Sequence, residues 1–253
     1  SAQEGVPVLQ VDDARTVGQV NVQFVRMPLP TLRDAAWALP EQVTATSYEA
    51  LRQCPYRFFA TSVLGLRDQE ELEEGLDRSD FGIWLHEVLR HFHAMRQGQL
   101  AISTPDEDVQ AWLAAAQRVI KEMGLDLDSQ RPYFLPFRAD LDRLASAYVG
   151  WLREHEDGGW SVLDAERIAQ RDLQIQDDLK VRLYGQLDRI DVRHHEGVKQ
   201  HLVLDYKTGS RDGLKRKVAA PLEDTQLAFY AALSDPQWAV QASYLHLDVQ
   251  DVK

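Results

Sequence analysis

Two short segments hold the residues best suited to chemistry: Gly185-Gln186-Leu187-Asp188-Arg189-Ile190-Asp191 and Val203-Leu204-Asp205-Tyr206-Lys207-Thr208-Gly209. In a strand, alternate side chains share a face, so Asp205 and Lys207 point one way and Leu204 and Tyr206 the other. Asp188 and Asp191 have opposite parity, so only one of them can face the same site. If the two strands pair around a turn near residues 194–199, Asp188 can lie beside Asp205. Adjacent carboxylates repel unless a cation sits between them, and hard oxygen donors suit Mg²⁺ or Mn²⁺. Such a metal polarises a phosphoryl oxygen and acidifies a bound water, while Lys207 orients that water or stabilises developing charge. These residue types therefore suit phosphodiester hydrolysis. A plainer reading stands beside it. Asp-x-Lys is common on exposed strands, and Asp188 with Arg189 or Arg193 can equally be a surface ion pair.

The elements that must position these residues fall into two halves. Residues 1–45 are mixed, with a strand-like alternation over Gln19–Val25 and prolines at 28, 30 and 40, and read as a lead-in or linker. Residues 46–253 read as one domain, helical over about 46–156 and a sheet core over about 157–253. Thr46 or Ser47 is expected to cap a helix running to about Leu64. Residues 68–80 are acidic and read as solvated. Phe81, Trp84, Leu85, Val88, Leu89 and Phe92 recur at helical spacing and predict a helix over 79–96. Two more helices are expected near 106–123 and 136–156, separated by Pro132 and Pro136. Strands follow at 160–167, 173–175, 181–192 and 200–206, then a basic loop over 211–217, a short helix at 223–233 and a last strand at 238–249. The order predicts an α/β domain with a mixed sheet.

Composition bounds the function. The 253 residues are 44% hydrophobic, enough for a real core, and no run approaches the ~18 apolar residues of a membrane span. No segment resembles a secretory signal, so a cytoplasmic location is expected. Ser1 in place of Met reads as a tag scar or the cut edge of a longer protein. Cys54 is the only cysteine, so the chain cannot supply a four-cysteine zinc or iron–sulfur site; beside Pro55 and aromatic residues it is expected to be a small buried residue. The net charge of −12 opposes free-standing affinity for nucleic acid, which comes largely from Lys and Arg on phosphates. Local acids for a metal, or a grip supplied by other parts of a larger assembly, reconcile that charge with a nucleic-acid substrate.

Several segments in order resemble the PD-(D/E)XK nuclease superfamily, in particular the RecB-type nuclease domains of bacterial helicase–nuclease complexes and their AddB-like relatives. Ser47-Tyr48-Glu49-Ala50-Leu51 leading into Cys54-Pro55-Tyr56-Arg57-Phe58-Phe59 resembles that family's first helix. Gly82-Ile83-Trp84-Leu85-His86-Glu87-Val88-Leu89 resembles its histidine-bearing helix. The two acidic strands are similar to Gly185–Asp191 and Val203–Gly209, and Gln226 with Tyr230 to the Gln-x-x-x-Tyr helix that follows.

The resemblance implies a restriction-endonuclease-like core, a central mixed sheet flanked by helices with a helical insertion. It implies His86, Asp188, Asp205 and the Tyr206 backbone carbonyl as ligands of Mg²⁺ or Mn²⁺, and Lys207 as the catalytic lysine. Gln226 and Tyr230, one turn apart, would position the substrate or the acidic strand. Glu166 stands where the family often has an acid near the site. Read without the resemblance, His86 beside an apolar stripe is more often a structural histidine than a ligand. Arg211, Lys215, Arg216 and Lys217 read either as phosphate contacts or as an ordinary solvated loop. The implied activity is an exonuclease acting on DNA ends or single strands in repair or recombination, with a helicase-like partner or within a larger chain. The alternative is a nuclease-fold module that binds DNA ends or partners and is weak or idle outside its complex. AddB-like relatives often hold an iron–sulfur cluster, and the lone Cys54 argues against one within this chain.

Overall fold

The computed structural model describes residues 40–67, 78–97, 103–126, 131–177, 179–220, 224–235, 237–248 and 252, all within the unit 36–253. The expected strand at 19–25 and the acidic stretch 68–77 lie outside the described residues.

The chain joins the sheet early: β1 (Gln42–Val43), in the segment read as lead-in, pairs in parallel with Arg182 and Leu183. Thr44, not Thr46 or Ser47, then caps α1 (Ala45–Gln53), exchanging bonds with Ser47 in a capping box. The helix does not run on to Leu64. Pro55 disfavours a helical conformation at Cys54, which is extended, and α2 (Pro55–Phe58) restarts before a π-helical turn, Phe59–Val63. Cys54 is exposed rather than buried, because this junction turns its thiol outward to accept the Arg57 N–H at 3.5 Å.

Three long helices follow. In α3 (Arg78–Gln97) the stripe Trp84, Leu85, Val88, Leu89 and Phe92 is buried. Thr104, Pro105 and Glu107 start α4 (Pro105–Glu122) with a capping box and a proline in the first turn. In α5 (Arg131–Asp157), Pro136 lies inside the helix rather than before it. It sits early enough to forfeit only one backbone bond, and the buried face of Leu141, Leu144, Tyr148 and Leu152 outweighs that loss.

The sheet is mixed, as expected. The segments 160–167 and 173–175 form one strand, β2 (Ser161–Gln176), which pairs antiparallel with β3 (Leu179–His195). A tight turn at Glu196-Gly197, both at positive φ, sends the chain into β4 (Val198–Lys207), antiparallel to β3. The expected basic loop is a helix, α6 (Arg211–Ala219): the Ser210 side chain accepts the Gly213 N–H, Asp212 lies in its first turn and Arg216 and Lys217 in its last. After α7 (Gln226–Leu233), β5 (Ala239–His246) pairs in parallel with β4. Leu204, Tyr206 and Leu245 pack against α3–α5, whereas Val203, Leu187 and Ile190 join Phe229 and Leu233 of α7 in a second core.

One edge of β3 is shared: β4 pairs with it over 189–195 and β1 at 182–183. Between them, near Tyr184–Asp188, the sheet has a notch, and a cavity of about 690 Å³ opens there.

Candidate active site

The acidic residues meet through strand register. The pairing Arg189↔Leu204, carried one step further, sets Asp188 opposite Asp205, and the Asp188 Oδ2 accepts the Tyr206 N–H at 2.7 Å. Ala165↔Arg189 and Arg167↔Leu187 bracket Glu166 opposite Asp188 on the other side. Three carboxylates therefore lie in a row across β2, β3 and β4. Glu166 has φ 53, a conformation costly for a residue with a Cβ, next to a register shift at Val162/Asp164. Its Oε2 accepts from the Gln186 amide at 2.7 Å.

His86 reaches this row from α3. Its Nδ1 lies 3.4 Å from Glu166 Oε1 and 3.5 Å from Asp188 Oδ1. His86, Glu166 and Asp188 each offer a donor atom, all within 4.8 Å of one another. Lys207 shares the face of Asp205, as the alternation requires, with Nζ 2.5 Å from Asp205 Oδ2. Asp205 Oδ1 accepts from the Gln226 amide at 3.0 Å, and the same amide nitrogen lies 3.0 Å from Tyr230 Oη. His86, Glu166, Asp188, Tyr206, Lys207 and Tyr230 all line the cavity.

The electrostatics of the site call for a cation. Burial, then the charges of Asp205 and Glu166, push the Asp188 carboxyl up to about 7, against the pull of His86 and the Tyr206 N–H. Burial also raises Asp205, with Lys207 and His86 opposing. Burial lowers His86, but its bond to Glu166 and the charges of Asp188, Glu166 and Asp205 outweigh that and raise it overall. Glu166 Oε1 and Asp205 Oδ2 are buried, with His86 Nδ1 3.4 Å from the first and Lys207 Nζ 2.5 Å from the second. Hard oxygen donors with one imidazole, short of positive charge, fit a divalent metal such as Mg²⁺ or Mn²⁺.

The buried Asp188 pairs with neither Arg189 nor Arg193. Arg189 faces the helical side, fully buried, with its Nε 2.6 Å from Asp191 Oδ1 and its Nη1 2.9 Å from Tyr148 Oη. Asp191 also binds His155 at 2.7 Å, and Tyr148 Oη lies 2.7 Å from His93 and 3.4 Å from Tyr206 Oη. This buried network behind the acidic strands escaped the reading of the sequence, although Arg189 and Asp191 share a parity that could have signalled it. Glu166, expected as an acid near the site, lies within 4.8 Å of the donor atoms of His86 and Asp188.

The basic residues of α6 stand apart from the main cavity. Lys215 and Arg216 lie against Asp212, and Lys217 Nζ is 3.1 Å from Asp224. Arg211 and Lys215, with Tyr244 and His246, line an adjoining groove of about 390 Å³.

The profile of the PD-(D/E)XK nuclease superfamily matches residues 42–253. The chain is 26% identical over 186 residues to an ATP-dependent helicase/deoxyribonuclease subunit from Caldanaerobacter subterraneus subsp. tengcongensis, covering 67% of this chain and 15% of that protein. The protein of the same name from Alkaliphilus oremlandii is 26% identical over 187 residues, covering 68% and 16%. An uncharacterized protein of Rickettsia bellii is 25% identical over 171 residues, covering 68% and 19%. The chain thus matches only a small part of these relatives' length. With a profile match spanning nearly all described residues and the acidic strands, histidine helix and lysine converging on one cavity, the chain belongs to the PD-(D/E)XK nuclease superfamily.

Proposed function

We propose that this chain is a divalent-metal-dependent nuclease domain that hydrolyses DNA phosphodiester bonds, an exonuclease module of a larger helicase–nuclease protein working in the cytoplasm. The observation that supports it most is the convergence of His86, Glu166, Asp188 and Lys207 on one cavity, with Asp205 held 2.5 Å from Lys207 behind its wall. His86, Glu166, Asp188, Asp205 and the Tyr206 carbonyl would hold Mg²⁺ or Mn²⁺. A bound metal supplies an acidified water and a polarised phosphoryl oxygen. Asp205 holds the Lys207 head at 2.5 Å on the cavity wall, where it would stabilise charge on the phosphate being cleaved. Gln226 holds one Asp205 oxygen and leaves the other toward Lys207. The open cavity admits a strand end. DNA and a helicase-like partner are inferred from the relatives' names and from the charge of −12, which suits a domain whose grip on DNA lies elsewhere.

The test is degradation of linear DNA with Mg²⁺ or Mn²⁺, abolished by a chelator and reduced on the order of 10²-fold or more in Asp205→Ala and Lys207→Ala. Full activity in both variants would sink the enzyme reading. The second reading, a module that binds DNA ends or partners and is idle outside its complex, rests on the same net charge. Tight Mn²⁺ binding lost in Asp188→Ala favours the enzyme, and intact DNA with end binding and no metal site favours the module.

A further inference from the structure

A glutamine amide fits its space in two orientations, and only one lets Gln226 donate to Asp205. The Asp205 carboxylate, which can only accept, selects the orientation with the nitrogen toward it, and the residues around Gln226 hold the side chain there. Asp205 and Tyr244 are register partners on the parallel strands β4 and β5, so they rise side by side on the α7 face. The Tyr244 hydroxyl donates to Asp224 Oδ1 at 2.8 Å and lies 3.4 Å from Gln226 Oε1. Asp224 Oδ1 also accepts the Gln226 backbone N–H at 3.1 Å, and its Oδ2 lies 3.1 Å from Lys217 Nζ. Thr225, at the N-cap of α7, makes no side-chain capping bond, so Asp224 anchors the first residue of this helix in its place. The Tyr244 ring lies 5.5 Å from Lys207 Nζ, so one side chain touches both arms of the proposed chemistry.

We propose that Asp224 and Tyr244 are positioning residues of the active site, a clamp that holds Gln226 and through its amide fixes the Asp205 carboxylate. The inference rests on the nuclease reading above. Asp224 grips the backbone of Gln226 and the Tyr244 hydroxyl, and Tyr244 sits against the amide oxygen. The amide nitrogen is then left facing Asp205 Oδ1 and Tyr230. Asp205 Oδ2 remains directed at Lys207. Burial raises the Asp224 carboxyl, but its bonds to Tyr244, Lys217 and Gln226 outweigh that and keep it an ionised acceptor. Through Lys217 the clamp also ties basic helix α6 to Asp205.

Tyr244→Phe and Asp224→Asn test the clamp in the 253-residue protein. The first readout needs no metal: the side-chain amide signals of Gln226 in ¹⁵N-correlated NMR spectra, identified by their loss in Gln226→Ala. Both variants are expected to move these signals toward free-amide positions and to speed their exchange with water. The second is Mn²⁺ affinity by calorimetry, expected to weaken about tenfold, within the range for residues that orient metal ligands. Combining Tyr244→Phe with Gln226→Ala is expected to weaken binding no further than Gln226→Ala alone. A purely structural residue would lower the melting temperature without this non-additivity. Unchanged amide signals, or losses that multiply in the double variant, overturn the proposal. A wild type that binds no Mn²⁺ sinks the metal-centre reading, and the amide signals still decide the clamp. Tyr244→Phe keeps the ring in place, so the test holds if Asp224→Asn unfolds.

Discussion

Asp188 is buried beside two further carboxylates, and its environment holds the carboxyl up to about 7. In the unfolded chain the same group ionises near the ordinary aspartate value. Between that value and about 7 the native metal-free protein binds a proton that the unfolded chain has released, so its stability falls as pH rises across the interval. The raised Asp205 and His86 act in the same direction. A bound cation removes the repulsion by displacing those protons. The melting-temperature gain from Mn²⁺ should therefore be small well below pH 7 and grow as pH rises through about 7. A gain that is flat with pH would show that these acids are not the ligands. Lys207 offers a second check, because its ammonium competes with a metal for Asp205 Oδ2. Lys207→Met should cut DNA cleavage by about 10²-fold or more while leaving Mn²⁺ affinity equal or tighter, measured by calorimetry.

At the scale of elements, the site depends on how α7 and β3 meet. Gly185 leaves room for α7: a Cβ there would lie 2.9 Å from Leu233 Cδ1 and 3.6 Å from Tyr230 Cε1. Gly185→Val should push α7 off the sheet, costing about 1–3 kcal/mol by overpacking. Because α7 carries Gln226, the loss in thermal stability should come with weaker Mn²⁺ binding. The helical face of the sheet is fixed differently. Asp191 is fully buried between Arg189 and His155, and Asp191→Ala leaves the buried Arg189 guanidinium without its carboxylate. That change is expected to cost about 3–5 kcal/mol, read as a lower urea midpoint. Turn chemistry served well for the β3–β4 hairpin, where Glu196-Gly197 marked the reversal. The stretch 211–217, read as a basic loop, is instead a helix that Ser210 caps and Asp212 starts.

The whole molecule bears a net charge of −12, and Lys215, Arg216 and Lys217 of α6 have acidic or carbonyl neighbours. Its own grip on DNA is therefore expected to be weak, with a salt dependence set by the few phosphate contacts it makes. If α6 contacts phosphate, Lys215→Ala with Arg216→Ala should lower the slope of log affinity against log salt by roughly 0.9 per lost contact and raise KM with little change in kcat. Equal slopes would leave α6 as a solvated surface helix, and a fall in kcat alone would point to the clamp behind it. No described helix is long and apolar enough to cross a membrane.

The sequence by itself determined what depends on local pattern. Alternation placed Asp205 and Lys207 on one face, spacing put His86 and its apolar stripe on a helix, and motif order pointed to the superfamily. Parity narrowed Asp188 and Asp191 to one site residue, without deciding which. Tertiary structure alone decided the rest, because register, burial and long-range partners are not written in neighbouring residues. It set Glu166 opposite Asp188 through a distorted strand, drew Arg189 and Asp191 into the helical core, and turned Cys54 outward at a helix junction. It also brought Asp224 and Tyr244 to Gln226 across α7 and β5, a meeting that exists only when a helix and two parallel strands are packed together.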